Sequence, residues 1–332
     1  MKGFSMAIIG VTGLVGRTLV DVINETNPPI ENFYIFASKK SIGKSFNILG
    51  KTYAVAELSD ENVVGKKIDV AVFCVNAKLS RKYAKLFVKN NALVIDNSTA
   101  FRRSKTTPLV VPEVNEKDMY DNRGIISNPN CSTIQGAVVL KPLHDAFKIK
   151  RVIFTTFQSV SGAGQQGVFD LRNGIKGIKP TKFSRNIFGN AIPKIDEFLK
   201  NGYTKEEEKI IYESKKILKD KNIKVTATCV RVPVFVSHAE SVNVEFCKPV
   251  TLKKLVSVLK AAPDVIVADD NDFEKFPTQA EIQGKNEVFV GRIRKDNSNK
   301  NAVNLWIVAD NLRKGAATNA LQIAVKYFEN RS

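Results

Sequence analysis

The chain has 332 residues, 43% of them hydrophobic and 25% charged, which is enough for two domains with sizeable cores. Its formal net charge of +18 could serve nucleic-acid binding, but the lysines are scattered along the chain and mixed with acids, as at residues 205–209. No basic block is interleaved with aromatic side chains. This scattered distribution of the positive charge argues against a nucleic-acid partner. The net positive charge suits an enzyme that acts on anionic, phosphorylated substrates.

Cysteine and histidine usage limits the remaining classes. Four cysteines without paired spacing indicate a reducing compartment, and two histidines without a zinc-binding motif predict no metal site. The sequence starts with a short strand rather than a signal segment, and no apolar run reaches the length of a membrane span. We therefore expect a cytoplasmic protein with no membrane partner.

The first half of the sequence alternates short apolar strands with helices. Strands that are apolar throughout are buried on both faces, and their alternation with helices is typical of a doubly wound parallel sheet. The sequence thus predicts the α/β class with a Rossmann-like first domain. The predicted strands are residues 6–9, 33–36, 68–75 and 93–95, and the predicted helices are residues 13–23 and 80–89.

The second half has longer strands, and the alternation of Val242, Val244 and Phe246 predicts a sheet with one polar face. We expect this half to form an α+β domain. The last helix, residues 316–328, has an apolar face that is predicted to pack against the first domain. The other predicted elements are strands 152–160, 225–236, 241–246, 288–294 and 302–309 and helices 194–199, 205–218 and 252–259.

A glycine-rich turn follows the first predicted strand and opens a helix, which is the context that a dinucleotide pyrophosphate requires. Gly10 permits a tight turn, Gly13 lets phosphates approach backbone N–H groups, and Gly16 allows close packing of the helix. The spacing is Gly-x-x-Gly-x-x-Gly, so an ordinary tight turn stays possible from this motif alone. The whole turn is Gly10, Val11, Thr12, Gly13, Leu14, Val15 and Gly16.

A basic stretch follows the second strand, at the position where an NAD-dependent enzyme places a carboxylate. Here residues 38–41 are Ser-Lys-Lys-Ser, which offer hydroxyl and ammonium groups to a 2′-phosphate. The sequence therefore predicts NADP(H) rather than NAD, bound through Ser38, Lys40 and Ser41. A solvated loop is the alternative interpretation.

Cys131 stands where a predicted strand, residues 124–127, turns into a helix that begins near Ser132. A thiol at a helix start meets unpaired backbone N–H groups and the positive end of the dipole, which lower its pKa below the free value of about 8.5. We interpret Cys131 as a nucleophile. The alternative is an inert buried cysteine, which describes Cys74 and Cys229 in their apolar strands.

Several segments of the sequence, in this order, resemble the aspartate-β-semialdehyde dehydrogenase family. They are residues 10–16, 111–115, 127–133, 159–164, 231–234 with His238, and 310–317. The resemblance covers nearly the full length. The family reduces aspartyl-4-phosphate with NADPH and releases phosphate, and its product feeds lysine, threonine and methionine synthesis.

The resemblance implies an NADP-binding domain at residues 1–131, completed by a C-terminal helix at 312–332, and a catalytic and dimerisation domain at 132–311. It implies that Cys131 displaces phosphate to form a thioester, which a hydride then reduces. His238 is the implied proton donor for the collapsing thiohemiacetal, with a neutral core histidine as the alternative. A homodimer or a dimer of dimers is also implied.

Substrate recognition is assigned by the same resemblance. Arg231 is implied to bind the substrate carboxylate, Arg102 and Lys209 the phosphate, and Glu206 the amine. Pattern alone favours a surface ion pair between Glu206 and Lys209, on a helix opened by a capping box at residues 204–207. The other implied contacts are Gln158, which orients the substrate or acyl group, and Ser161, Gly162 and Asn311, which contact the cofactor.

Three alternatives stay open on the sequence. N-acetyl-γ-glutamyl-phosphate reductase has the same architecture and chemistry, but its cysteine typically stands in Gly-Cys-Tyr, whereas residues 130–132 are Asn-Cys-Ser. A non-catalytic NADP-binding protein or a nucleic-acid-binding module is opposed by the presence of Cys131, Gln158, Arg231 and His238 in one chain. The sequence also leaves open whether Arg231 and His238 lie on the same face of the sheet, since Pro233 predicts a break in the strand between them.

Overall fold

The computed structural model describes residues 3–268, 272 and 274–329. Two compact units divide the chain. The first comprises the residues up to Pro129 together with those from Ala316 onward, and the second comprises Asn130–Gly315. Each unit contains its own six-stranded sheet.

Short strands and helices alternate along the first unit. Its elements before residue 130 are β1 (Phe4–Ile9), α1 (Leu14–Thr26), β2 (Ile30–Ala37), β3 (Ser45–Ile48), β4 (Lys51–Ala54), β5 (Ala56–Glu57), α2 (Asp60–Val63), β6 (Val70–Phe73), α3 (Ala77–Lys89), β7 (Leu93–Asp96), α4 (Pro112–Asn115) and β8 (Ile125–Ser127). Six of the strands form a parallel sheet in the order β5-β2-β1-β6-β7-β8. The predicted parallel sheet is confirmed.

Longer strands characterise the second unit. Its elements are α5 (Cys131–Phe147), β9 (Ile149–Gln158), α6 (Gln165–Ile175), α7 (Lys205–Ile217), β10 (Lys224–Arg231), β11 (His238–Phe246), α8 (Leu252–Lys260), β12 (Val265–Val267), α9 (Gln279–Ile282), β13 (Val288–Lys295) and β14 (Ala302–Ala309). The sheet is mixed, with the order β10-β9-β11-β14-β13-β12. The predicted α+β character of this half is confirmed.

Both faces of the first sheet are covered, which explains why its strands are apolar throughout. Along β1, Met6 and Ile8 belong to one hydrophobic core, whereas Ala7 and Ile9 belong to another. The last helix, α10 (Thr318–Glu329), contributes to the first of these cores, as predicted, and the Phe328 ring stacks on Phe4 at 4.6 Å. The predicted extension of this helix to residue 332 lies outside the described residues.

Two predictions for the second unit are wrong. Residues 194–199 form an irregular loop rather than a helix, because Asp196 has a φ of 70°, in the left-handed region that an α-helix cannot contain. The predicted strand over residues 225–236 ends at Arg231. Helix α6 was not predicted, although Val168, Leu171 and Ile175 have helical spacing.

Candidate active site

Cys131 is the first residue of α5, and Asn130 is the N-cap. The Asn130 Oδ1 atom accepts hydrogen bonds from the backbone N–H groups of Ser132 and Thr133, at 3.0 and 3.2 Å. The expectation that backbone N–H groups beside the thiol are unpaired is therefore wrong. Of the two effects expected to favour the Cys131 thiolate, the helix dipole still applies. Only glycine fits at Gly315, because a Cβ there would lie 2.8 Å from the Cys131 Cβ.

The surroundings of Cys131 differ from those of the two strand cysteines. Burial, with Asp96 nearby, raises the pKa of the Cys74 thiol to about 12, and burial also raises the pKa of Cys229. Cys131 is partly exposed and lies within electrostatic range of the Arg231 guanidinium. Because a neighbouring cation stabilises a thiolate, this placement favours a reactive Cys131.

Three of the predicted site residues are direct neighbours across three strands. Gln158, the last residue of β9, pairs in register with Arg231, the last residue of β10, and with His238, the first residue of β11. Residues that pair in this way project from the same face of a sheet. The structure thus brings together side chains that lie up to 80 positions apart in the sequence.

The segment between β10 and β11 explains how Arg231 and His238 reach the same face. Residues 232–237 leave the strand direction, and Ser237 has a φ of 72°. The Val160 N–H donates to the Val234 carbonyl across this break. The break predicted at Pro233 is confirmed.

Glu206 and Lys209, both on α7, do form an ion pair, but it is largely buried. The surface ion pair predicted from the pattern alone is therefore wrong. Only 6% of Glu206 is exposed, and its carboxylate accepts hydrogen bonds from Asn130 Nδ2 at 2.8 Å, Gln158 Nε2 at 3.2 Å and Lys209 Nζ at 3.1 Å. Burial by itself would raise the pKa of Glu206, but Lys209, Asn130 and Arg231 lower it to about 2. Glu206 is therefore a buried, fully ionised carboxylate.

Lys209 also binds Asp196, a residue for which the sequence predicts no role. Its Nζ donates to Asp196 Oδ2 at 2.8 Å, and the two carboxylates of Glu206 and Asp196 keep the pKa of Lys209 raised against the effect of burial. Asp196 belongs to the loop that was expected to be a helix, and no sequence signal marks it. Asn130 was also not selected, although an asparagine before a helix is a typical N-cap.

Arg231 is buried, and two contacts fix the position of its guanidinium group. Its Nη1 donates to the Ser159 carbonyl at 2.6 Å, and its guanidinium lies 5.9 Å from the centre of the Phe183 ring. A Cβ at Gly162 would lie 2.9 Å from Arg231 Nη1 and 3.1 Å from His238 Nε2. A glycine at position 162 therefore keeps the space beside both side chains free.

His238 is fully buried, and its Nδ1 atom faces Ser159, whose backbone N–H and Oγ both lie 3.1 Å away. Burial, with Arg231 nearby, lowers the pKa of His238 to about 3. Asn311 lies behind this pair, with its Oδ1 3.1 Å from both Ser159 Oγ and Ser161 Oγ. The imidazole is therefore neutral at physiological pH.

The glycine-rich turn in the first unit has the geometry that a bound diphosphate needs. Gly10 has a φ of 89°, and a Cβ at Gly16 would lie 2.4 Å from the Gly10 carbonyl oxygen, so neither position accepts a side chain. Gly13 is the N-cap of α1, which has neither a side-chain cap nor an acidic first turn. The first N–H groups of α1, from Leu14 and Val15 onward, are thus suited to an anion.

The second predicted cofactor segment lies beside this turn. Residues 39–41 form a short 3₁₀ helix, with Ser38 and Lys40 exposed. Thr12 Oγ1 and Ser41 Oγ are 3.4 Å apart, so the two segments meet within the first unit. Arg102 belongs to the same unit, where it is buried and its Nη2 donates to the Asn97 carbonyl at 2.7 Å.

Comparison with known proteins agrees with this geometry. Residues 5–122 match the model "Semialdehyde dehydrogenase, NAD binding domain", and residues 140–314 match "Semialdehyde dehydrogenase, dimerisation domain". The chain is 48% identical to the aspartate-semialdehyde dehydrogenase of Aquifex aeolicus over 97% of both chains, and 46% identical to that of Campylobacter jejuni over 99% and 98%. The chain belongs to the aspartate-semialdehyde dehydrogenase family.

A solved structure supports the same family. It is the aspartate semialdehyde dehydrogenase II of Vibrio cholerae, described as complexed with ASA, which superposes with a TM-score of 0.95 at 43% identity and 99% coverage of both chains. Membership of the aspartate-semialdehyde dehydrogenase family makes the chain an NAD(P)-dependent oxidoreductase, and it confirms the resemblance seen in the sequence. The comparisons support neither a reductase of N-acetylglutamyl phosphate nor a non-catalytic NADP-binding protein.

Within residues 3–268, 272 and 274–329, no group of three or more histidine, cysteine or acidic side chains could hold a metal ion. The same ranges contain no helix with the length and apolar character needed to cross a bilayer.

Proposed function

We propose that the chain catalyses the reversible, NADPH-dependent reductive dephosphorylation of L-aspartyl-4-phosphate to L-aspartate 4-semialdehyde. The product serves lysine, threonine, methionine and diaminopimelate biosynthesis. The observation that carries the proposal is the row formed by Arg231, Gln158 and His238, in the unit that also holds Cys131 and Glu206.

The chemistry needs a covalent carrier, and Cys131 has that role in the proposal. Its sulfur attacks the acyl phosphate, and phosphate leaves as a thioester forms. NADPH, when bound, supplies the hydride that reduces the acyl group. The resulting thiohemiacetal collapses to the aldehyde and the cysteine, while His238 and Gln158 orient the reacting oxygen and carbon.

Charge complementarity assigns the substrate contacts. Arg231 is a planar, buried cation that can hold a carboxylate through two hydrogen bonds. Glu206 is an ionised carboxylate and suits the substrate ammonium group, while Lys209 suits the phosphate. Arg102, in the first unit, is proposed as a second phosphate ligand.

We infer that the first unit, with residues 1–131 and 312–332, binds NADP(H) in preference to NAD. The turn from Gly10 to Gly16 holds the pyrophosphate, with Thr12, Gly13, Leu14 and Val15 between them. Ser38, Lys40 and Ser41 face the 2′-phosphate, since residues 38–41 contain no carboxylate. The remaining proposed cofactor contacts are Ser161, Gly162 and Asn311.

We further propose that residues 132–311 form the catalytic and dimerisation domain and that the chain assembles as a homodimer or a dimer of dimers. The match of residues 140–314 to a dimerisation domain supports this assembly. A cytoplasmic location stays a prediction from cysteine usage.

A spectrophotometric assay tests the proposed reaction. NADPH formation from aspartate semialdehyde and phosphate should be rapid, whereas N-acetylglutamate semialdehyde should give little signal. NAD⁺ in place of NADP⁺ should lower kcat/KM. The function is refuted if the N-acetylated substrate is preferred or neither aldehyde reacts.

Cys131→Ala tests the nucleophile. Turnover should fall at least about a thousandfold, because the covalent step is lost, while NADPH binding, measured by fluorescence, should be unchanged. Cys247→Ala, at an exposed cysteine, is the matched control and should retain full activity. A Cys131→Ala enzyme that keeps a tenth of the activity would exclude Cys131 as the acyl carrier.

A further inference from the structure

The loop that follows helix α6 lies next to Arg231. The backbones of Ile192 and Arg231 exchange two hydrogen bonds, at 2.8 and 2.9 Å, so this loop runs beside the end of β10. Phe183, earlier in the same loop, has its ring centre 5.9 Å from the Arg231 guanidinium. The Phe183 ring packs against a small hydrophobic cluster that includes Ile192 and Leu171 of α6. The guanidinium therefore lies against an apolar wall that is built by α6 and its loop.

A single carboxylate fixes the segment that carries Phe183. Asp170, on α6, is only 1% exposed, and each of its two oxygens accepts two hydrogen bonds. Oδ1 accepts the backbone N–H and the hydroxyl of Thr181, at 2.8 and 3.0 Å. Oδ2 accepts the backbone N–H groups of Lys182 and Phe183, at 2.7 and 2.9 Å. Asp170 therefore holds three consecutive residues, the last of which carries the ring.

These donors also keep Asp170 charged. Burial by itself would raise the pKa of Asp170, but the hydrogen bonds from residues 181–183 lower it below its ordinary value of 3.8. An ionised carboxylate accepts hydrogen bonds on both oxygens, whereas an asparagine at this position would turn an N–H group toward two of the donors. The position of residues 181–183 therefore depends on the charged form of Asp170.

The Phe183 ring limits what the Arg231 guanidinium can contact. Nη1 of Arg231 already donates to the Ser159 carbonyl, and only 5% of Arg231 is exposed. A guanidinium over an aromatic ring is attracted to the ring, and the attraction grows when water is excluded. The ring also shields the cation without offering an oxygen that would compete for it. Because charged hydrogen bonds are stronger away from water, this arrangement strengthens the contact between Arg231 and a carboxylate.

We propose that Asp170 and Phe183 are positioning residues for the binding of the substrate carboxylate by Arg231. Asp170 holds residues 181–183 in place, and the Phe183 ring holds the guanidinium and keeps water from it. The proposal rests on the proposed function, in which Arg231 binds the carboxylate of the aldehyde. The affinity for the aldehyde should then depend on Phe183, whereas the affinities for phosphate and for the cofactor should not.

Steady-state kinetics of Phe183→Ala test the role of the ring. The KM for aspartate semialdehyde should rise about tenfold, the order expected for a cation–π contact shielded from water, while kcat and the KM values for phosphate and NADP⁺ stay within about twofold. Phe183→Tyr keeps an aromatic ring and should stay near the parent. Phe46→Ala, at a ring that lies 5.8 Å from Arg17 in the first unit, is the matched control and should leave the aldehyde KM unchanged. An unchanged aldehyde KM in Phe183→Ala, or an equal rise of all three KM values, would overturn the proposal.

A double-mutant cycle of Asp170→Asn and Phe183→Ala tests whether Asp170 acts through the ring. Asp170→Asn should raise the aldehyde KM by a similar factor, because residues 181–183 are no longer held, and the double variant should be no worse than Phe183→Ala alone. Losses that multiply in the double variant, or an Asp170→Asn enzyme with the KM of the parent, would exclude the positioning role of Asp170. A parent enzyme without activity on aspartate semialdehyde would refute the proposed function, whereas an active parent with unaffected variants would refute only the positioning roles.

Discussion

Glu206 shows at the residue scale how packing changes the meaning of a common sequence pattern. A Glu-x-x-Lys pair on a helix is usually a solvated ion pair worth a few tenths of a kcal/mol. Here three donors converge on the carboxylate in a buried position, so its ionisation contributes to folding. The same contacts hold it ready to accept a substrate ammonium group.

The stability of the protein should depend on Glu206 in a defined pH range. Its pKa in the folded state, about 2, lies below the ordinary value of 4.5. The stabilisation, up to ~3 kcal/mol, is therefore complete above pH 4.5 and is lost as the pH falls toward 2. Urea unfolding of the parent and of Glu206→Gln should differ most above pH 4.5, and the difference should shrink on acidification. A difference that grows on acidification would contradict a depressed pKa.

Helix α5 shows at the element scale how one residue connects two elements. Asn130 caps α5 with its side-chain oxygen, its Nδ2 donates to Glu206, and its backbone N–H donates to Glu213 at 2.7 Å. Both glutamates belong to α7. The start of the helix that carries Cys131 is therefore fixed to the helix that carries the proposed substrate-binding pair.

Two substitutions at Asn130 separate these contacts. Asn130→Ala should lower the free energy of unfolding by about 1–2 kcal/mol, because it removes the cap. Asn130→Asp should keep the cap, since aspartate caps as well as asparagine, yet it should destabilise at least as much because two carboxylates then face each other. Urea titrations measure both values. Thr251→Ala, at the cap of α8, is the control for cap loss alone. An Asp variant as stable as the parent would show that the bond to Glu206 carries no weight.

Prediction at the element scale succeeded where the signal is local. The periodicity and end signals of α7, α8 and β14 gave bounds within one residue of those observed. Prediction failed at residues 194–199, where the apolar pattern resembles that of a helix. The observed loop is fixed instead by contacts with other elements, such as the pairing of Ile192 with Arg231. Such pairings depend on residues far along the chain.

At the scale of the whole molecule, exposed apolar side chains cluster in the part of the sequence after α5. Phe169, Ile175, Ile178, Phe188 and Phe198 are each about half exposed. They belong to the region that matches a dimerisation domain. We expect a second copy of the chain to bury this region, since monomeric proteins rarely leave such a set open to water.

Phe188→Asp tests that expectation. Sedimentation should give a mass of at least two chains for the parent and a lower mass for the variant, because burying a carboxylate in an apolar contact is costly. Ile42→Asp, at an exposed isoleucine of the first unit, is the matched control and should leave the mass unchanged. If both variants lose mass equally, or if neither variant does, the interface lies elsewhere.

The sequence by itself determined the fold class, the glycine-rich turn, the position of Cys131 at a helix start and the family. Each of these depends on periodicity, helix-end signals or the order of motifs, which are properties of neighbouring residues. Only the tertiary structure decided that Gln158, Arg231 and His238 are neighbours and that Glu206 is buried. It also decided that Asn130 accepts hydrogen bonds from the backbone N–H groups near the thiol. Hydrogen-bond partners, burial and pKa depend on atoms brought together from distant parts of the chain, and local patterns do not record them.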